Sequence, residues 1–341
     1  MMKKPFSIMA LSICLVVITI TGSASAQTTD EQAAIKLKAT LVNVPVIVSD
    51  HEDHYLSGLR AEDFTLYNDH VKQTIAVFEA TEEPLNVALL LDTSKSTRDV
   101  LDDIKEAALN FIKRLRPQDR AMIVSFDYDI HRLSQLTADR RVLERAVKNA
   151  EIGTYPGTVL RDAVIKVTNE SLRQVQGRKA IVLLTDGKDH GSVIGEGESL
   201  DAAEESGAMI YAIFYRTAFA PRFDGRRGGW RRRGGVFGEP PPGRAPGRER
   251  RRERQERNNE DAADYLNQLA SASAGRFYRS EVTDLKKTFD LIADELRHQY
   301  RLGFYANSDT GEGTIHHLTV QVARPDTVVR ARRSYRAGQM Q

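Results

Sequence analysis

Short apolar runs alternate with amphipathic helical patterns along the middle of this chain. The runs cover residues 85–91, 121–126, 180–185 and 208–215. Helical apolar spacing lies between them, for example over 97–115 and 160–175. Strands that are apolar throughout bury both faces, so they form a mostly parallel sheet that is covered by helices on both sides. We therefore predict a doubly wound α/β domain over residues 84–297.

Oxygen-bearing side chains follow two of these runs. Asp92, Ser94 and Ser96 form Asp-x-Ser-x-Ser directly after run 85–91, and Asp186 directly follows run 180–185. Thr158 lies in a Tyr-Pro-Gly-Thr loop just before a helical pattern. Ligands of open α/β sheets bind at the carboxyl ends of strands near a topological switch point. Two carboxylates and three hydroxyls make a hard oxygen donor set that suits Mg²⁺, Mn²⁺ or Ca²⁺.

The order of these motifs over residues 84–297 resembles the metal-ion-dependent adhesion site of von Willebrand factor type A domains. The resemblance implies that Ser94, Ser96 and Thr158 contact one divalent ion. It implies that Asp92 and Asp186 hold the ion directly or through water. The implied fold is Rossmann-like, and the implied function is adhesion without catalysis, in which an Asp or Glu of a partner protein completes the coordination.

β-like segments flank the predicted domain at residues 35–83 and 298–336. Their apolar residues alternate at Val42, Val44, Val46 and Val48, and again at 318, 320 and 322. Either set alone would make a marginal sheet, because a small isolated sheet buries too little apolar surface. We therefore expect the two segments to pair into one small β-sandwich-like module. The layout as a whole resembles the acidobacterial family of von Willebrand A-related proteins.

The first 26 residues have the pattern of an export signal. Lys3 and Lys4 precede an apolar core at 6–20, and the small residues 24–26 fit a cleavage site. The apolar core is shorter than the roughly 20 residues that span a bilayer, and no later segment is apolar enough. We expect a cleaved signal and a periplasmic or secreted protein. Cys14, the single cysteine, lies in this signal, so the mature chain can form no disulfide and no thiol nucleophile.

An arginine-rich stretch interrupts the α/β pattern at residues 216–257. The chain as a whole is nearly balanced, with 49 Lys and Arg against 47 Asp and Glu, but this stretch has 14 Arg and 5 acids. Its Gly, Pro and Arg content and few apolar residues predict a disordered insertion, which departs from the family pattern. Such a basic tract could bind an anionic surface polymer. An exported protein has little occasion to meet nucleic acid.

Two other functions remain open from the residues alone. A hydrolase could use the same ion to activate water, and a general base beside the site would favour it. An electrostatic binder could act through residues 216–257 alone, with steep salt dependence and no effect of a chelator. Asp189 and His190 follow Asp186 closely and could line the rim of the metal site.

Overall fold

The computed structural model describes residues 40–80, 82–215, 246–306 and 313–337. The strands are β1 (Thr40–Ser49), β2 (Phe64–Asn68), β3 (Val71–Gln73), β4 (Val77–Glu79), β5 (Leu85–Asp92), β6 (Arg120–Phe126), β7 (Ile130–Arg132), β8 (Arg178–Thr185), β9 (Met209–Tyr215), β10 (Phe277–Ser280), β11 (Tyr300–Ala306), β12 (Ile315–Val322), β13 (Val328–Ala331) and β14 (Ser334–Arg336). The α-helices are α1 (Leu101–Arg114), α2 (Arg140–Lys148), α3 (Leu160–Ile165), α4 (Glu196–Glu205), α5 (Pro246–Ala272) and α6 (Leu285–Arg297). The predicted signal, residues 1–26, lies outside the described residues. Among the helices of the described ranges, none has the length and apolar character to cross a bilayer.

A six-stranded sheet forms the centre of the α/β domain, in the order β10-β9-β8-β5-β6-β7. Its neighbouring strands are parallel except for the antiparallel pair β6–β7. Leu89 and Leu91 of β5 share a core with α1, α2 and α6, whereas Leu90 shares a core with α3 and α5 on the opposite face. Both faces of the sheet are buried, so the predicted doubly wound α/β fold is confirmed.

The strand order reverses direction at β5. The chain runs outward from β5 through β6 to β7 on one side, and through β8 and β9 to β10 on the other. The gap between the carboxyl ends of β5 and β8 is therefore the switch point, where open α/β sheets bind ligands.

The segments before and after this domain pair with each other. β1 pairs antiparallel with β11, from Thr40↔Ala306 to Val46↔Tyr300, and β2 pairs antiparallel with β12. The pairs belong to two four-stranded sheets, β13-β1-β11-β4 and β14-β12-β2-β3. Their side chains share one apolar core, which includes Val42, Val44, Val46, Val48, Phe64, Leu66, Tyr300, Leu302, Phe304, Leu318 and Val320. The expected β-sandwich-like module is thus confirmed, and neither segment could have built it alone.

A buried carboxylate links this sandwich to the α/β domain. Glu295 of α6 is fully buried and accepts hydrogen bonds from Tyr211 Oη (2.7 Å) and Tyr55 Oη (2.9 Å). Arg276 Nε lies 3.0 Å from Glu295 Oε2, and Arg330 pairs with Oε1. Tyr55 and Arg330 belong to the sandwich segments, so the network holds the two modules together.

The prediction of disorder at 216–257 is wrong for the last part of that range. Helix α5 begins at Pro246, so residues 246–257 are helical and continue into the helix predicted at 260–272. Arg, Glu and Gln dominate residues 248–257 and have high helix propensity, which outweighs the dense charge that suggested disorder. Residues 216–245 lie outside the described residues.

Two smaller departures from the prediction lie elsewhere in the α/β domain. β7 has only three residues, too few for a strand period to show in the sequence. The helix predicted at 160–175 is α3 followed by a π-helical turn at Lys166–Ser171. There Thr168 Oγ1 donates to the carbonyl oxygens of Val164 and Ile165, both at 3.0 Å, and competes with backbone N–H groups for them.

Candidate metal centre

Two buried carboxylates lie at the switch point of the six-stranded sheet. Asp92 is the last residue of β5 and Asp186 directly follows β8. The two strands are hydrogen-bonded neighbours, with Leu91 opposite Leu184. Asp92 is 0% exposed and Asp186 2%. The parallel register brings together two carboxylates that are 94 positions apart in the sequence.

The turn after β5 presents the first two hydroxyls. The backbone N–H of Ser94 donates to Asp92 Oδ1 at 2.9 Å, so the chain turns back over the carboxylate. The hydroxyl oxygens of Ser94 and Ser96 lie 3.0 Å apart. Thr97 donates through its N–H and its hydroxyl to the Ser94 carbonyl, at 3.0 and 2.8 Å. Asp-x-Ser-x-Ser therefore folds locally into a tight turn with adjacent oxygen donors, a shape that its own hydrogen bonds specify.

The loop that carries Thr158 is tied to three other loops by backbone hydrogen bonds. Gly153 N–H donates to the Thr93 carbonyl at 2.9 Å, and Val159 N–H donates to the Asp127 carbonyl at 2.8 Å. His190 N–H donates to the Thr158 carbonyl at 3.1 Å. Thr158 is 3% exposed. These bonds place the Thr158 loop against both the loop after Asp92 and the loop after Asp186.

Two carboxylates with like charge lie close together in this buried site. Burial, and then the nearby carboxylate of Asp186, raise the pKa of Asp92 to about 7. The ammonium of Lys188 forms an ion pair with Asp186 Oδ2. Two like charges in a buried site are unfavourable unless a positive charge offsets them. Lys188 supplies one such charge, and a divalent cation would supply two.

Buried hydroxyls complete the surroundings of Asp92. Thr185 Oγ1 donates to Asp92 Oδ2 at 2.7 Å and accepts from Gly187 N–H at 2.9 Å. Tyr215, at the end of β9, is fully buried, and its hydroxyl has no hydrogen-bond partner among the described residues. Burial and the carboxylates of Asp92 and Asp186 raise the pKa of Tyr215. The parallel register pairs Thr185 with Phe214, so Tyr215 is next to the position of Asp186 at this end of the sheet.

Sequence reasoning did not single out Thr185, Lys188 or Tyr215. Thr185 and Lys188 lie within two positions of Asp186 in Thr-Asp-Gly-Lys, so closeness in the sequence could have indicated them. The sequence gives no such indication for Tyr215, because this residue is simply the last of an apolar run. Of the two predicted rim residues, Asp189 accepts from Arg161 Nε at 3.1 Å and from the Arg161 N–H at 3.0 Å, at the start of α3.

A cleft beside the site has a volume of about 540 Å³. Asp189 and His190 line it on one side, together with Lys188. Asn258 and Tyr265 of α5 line the other side. Helix α5, which begins within the predicted insertion, thus forms one wall of the cleft next to the candidate centre.

The donor set fits a hard divalent ion. Among residues of the described ranges, no group of three or more His, Cys, Asp or Glu side chains could hold a metal. Any ion here would therefore depend on hydroxyl oxygens in addition to Asp92 and Asp186. Oxygen-only coordination of this kind is preferred by Mg²⁺, Mn²⁺ and Ca²⁺.

Comparison with known proteins identifies the central domain. Residues 87–188 match the family described as von Willebrand factor type A domain. The chain therefore contains a von Willebrand factor type A domain, as the resemblance of its motifs indicated. No curated protein matches the chain.

Solved structures with a similar fold come from animals and bacteria. Proximal thread matrix protein 1 from the mussel byssus, with a zinc-occupied MIDAS motif, is 14% identical, with 68% of this chain and 50% of that chain covered and a TM-score of 0.48. BatB from Bacteroides thetaiotaomicron is 19% identical, with 62% and 97% covered and a TM-score of 0.44. The von Willebrand domain of the type V pili tip protein Mfa5 from Porphyromonas gingivalis is 13% identical, with 62% and 94% covered and a TM-score of 0.43. The chain spans about half the length of the mussel protein chains that it matches.

Proposed function

We propose that this protein is an exported adhesion module that binds a partner protein through a divalent cation. The cation, Mg²⁺ or else Mn²⁺ or Ca²⁺, would be held by Asp92, Ser94, Ser96, Thr158 and Asp186. When bound, it would supply an electrophilic open position for a carboxylate of the partner. The observation that carries the proposal is the pair of buried carboxylates at the switch point, with serine hydroxyls folded over one of them.

Each protein group has a part in this binding. Asp92 and Asp186 provide the negative charge that attracts the cation, and their burial excludes competing water. Ser94, Ser96 and Thr158 provide neutral oxygens, so part of the positive charge is left for a ligand. Thr185 orients Asp92 through its 2.7 Å hydrogen bond, much as outer hydrogen bonds orient ligands in other metal sites.

The surroundings of the site favour binding over hydrolysis. Tyr128 and Tyr155, on two of the loops that form the site, are 59% and 66% exposed. An exposed aromatic rim is typical of a surface that binds another protein. The alternative function, electrostatic binding of an anionic polymer, concerns residues 216–257, most of which lie outside the described residues. Binding that depends steeply on salt and does not respond to a chelator would identify it.

Titration calorimetry tests the metal site directly. We expect Asp186→Asn and Asp92→Asn to lower the affinity for Mg²⁺ and Mn²⁺ by roughly 100-fold or more, because a carboxylate of a hard-cation site is lost. Asp99→Asn is the matched control, since Asp99 is an exposed carboxylate in the turn that follows Ser96. Equal affinities in wild type and both site variants would refute the assignment. Fractionation of the native host, with an antibody against the chain, tests export.

A further inference from the structure

Two exposed tyrosines stand beside the candidate metal centre. The side chains of Tyr128 and Tyr155 are 59% and 66% exposed, and their ring centroids lie 6.1 Å apart at an interplanar angle of 57°. Tyr128 follows β6, and Tyr155 lies three positions before Thr158. Large apolar side chains of the described residues are mostly buried, and contiguous exposed apolar side chains are typical of interaction sites.

The loops that carry the two rings pack closely against each other. Gly157 has φ of +143°, in the region that favours glycine, and a Cβ there would lie 2.9 Å from Tyr128 Cδ2. The Tyr128 ring therefore covers Gly157, the residue next to Thr158. A Cβ at Gly153 would lie 2.4 Å from Asp127 Cγ, so the loop of Tyr155 is packed equally closely against the loop of Tyr128. The two glycines allow this close approach, so the loops that carry the aromatic pair are positioned before any ligand arrives.

We propose that Tyr128 and Tyr155 form an aromatic docking surface for an apolar side chain of the partner, next to the carboxylate that the metal centre receives. This inference rests on the proposed function and names the chemistry of the partner: an extended segment with an Asp or Glu and an aliphatic or aromatic residue close to it. Tyrosines supply large contact area with little loss of conformational freedom, and interface hot spots are enriched in them.

The spacing between the two partner residues is limited by the requirement that both side chains point to the same surface of this protein. Tyr128 covers Gly157, and the Cα of Thr158 lies one chain step, about 3.8 Å, further on. Residues i and i+2 of an extended segment point to the same side and lie roughly 7 Å apart. We therefore expect the apolar residue two positions from the acid.

A selection of displayed random heptapeptides tests the inference. Wild-type protein in Mn²⁺ should enrich peptides in which an Asp or Glu has a Leu, Ile, Val, Phe, Tyr or Trp two positions away, and EDTA should release them. The double variant Tyr128→Ser/Tyr155→Ser should enrich acidic peptides without the apolar neighbour. A wild-type-selected synthetic peptide should bind the double variant at least tenfold more weakly in fluorescence polarisation, with an unchanged Mn²⁺ affinity in calorimetry.

Tyr305→Ser is the matched control. Tyr305 is a tyrosine of similar exposure, 55%, but it lies in β11 of the sandwich, so its loss should leave peptide affinity unchanged. Selection of acidic peptides without an apolar preference would overturn this inference and leave the proposed function standing. A loss of Mn²⁺ affinity in the double variant would overturn it as well, because the rings would then support the metal loop. Selection of peptides without acids, binding that EDTA does not affect, or no enrichment at all would overturn the proposed function and this inference together.

Discussion

Replacement of Glu295 by glutamine should destabilise the whole protein. Glutamine has almost the same volume, so the change removes the charge and converts one acceptor oxygen into a donor. The oxygen atoms at stake accept from Tyr211 and Tyr55 and pair with Arg276 and Arg330. The NH2 of the glutamine amide would face groups that are themselves hydrogen-bond donors. Both guanidinium groups would also lose their counter-charge.

The magnitude follows from burial. Removal of one partner from a buried ion pair costs about 3–5 kcal/mol. The side chains of Arg276 and Arg330 keep 34% and 24% exposure, and solvent screens part of their lost pairing. Tyr211 is fully buried, so solvent cannot compensate its hydroxyl for the lost hydrogen bond. We therefore expect the lower end of the range, about 3 kcal/mol, which corresponds to a decrease in Tm of roughly 6 °C.

Differential scanning calorimetry of the purified chain measures this effect. Asp294→Asn is the matched control, because Asp294 is the exposed carboxylate directly before Glu295 on the same helix, and it should change Tm by less than about 1 °C. Because Glu295 links the sandwich to the α/β domain, the transition of Glu295→Gln should also broaden as the two modules lose cooperativity. A Tm equal to that of the control would show that the network contributes nothing to stability.

Two further predictions concern lysines. Lys188→Met should raise the affinity for Mn²⁺ about three- to tenfold in titration calorimetry, because the Lys188 ammonium pairs with Asp186 and repels the incoming ion; equal or weaker binding would contradict this competition. Burial lowers the pKa of Lys179 from 10.5 to about 8, so between these values the unfolded state binds more protons and stability rises with pH. Lys179→Met removes this buried charge but also the hydrogen bond to the Leu172 carbonyl. The net effect should be a stabilisation of about 2 kcal/mol at pH 7. This gain should shrink as the pH approaches 10.5, and a gain that does not depend on pH would refute the explanation.

Much of the candidate centre could be predicted from the sequence because its signals are local. Asp92 and Asp186 each follow an apolar run, and the sheet type places the ends of such runs at one edge. Asp-x-Ser-x-Ser specifies its own turn through the hydrogen bond from Ser94 to Asp92. The shared sandwich was also predictable, since each terminal segment has period-2 apolar positions and too few strands to cover them.

The elements that the sequence did not predict depend on long-range contacts or on weak local signals. Helix α5 begins 14 residues before the predicted start at Glu260, because the composition of 246–257 fits both a charged helix and a disordered tract. β7 exists because the edge of β6 offers unpaired backbone groups, which no pattern within three residues reveals. The partners of Glu295 come from positions as distant as Tyr55 and Arg330, and an isolated acid in an amphipathic helix gives no sign of them.

The sequence by itself determined the class of fold and the residue types of the candidate centre. Both depend on hydrophobic periodicity and on short motifs, which act over a few residues. Only the tertiary structure decided what surrounds the centre: the ion pair of Lys188 with Asp186, the buried hydroxyl of Tyr215 and the exposed pair Tyr128 and Tyr155. These relations join loops and strands that are far apart in the chain, and their geometry is fixed by the register of the parallel sheet and by close packing at Gly153 and Gly157.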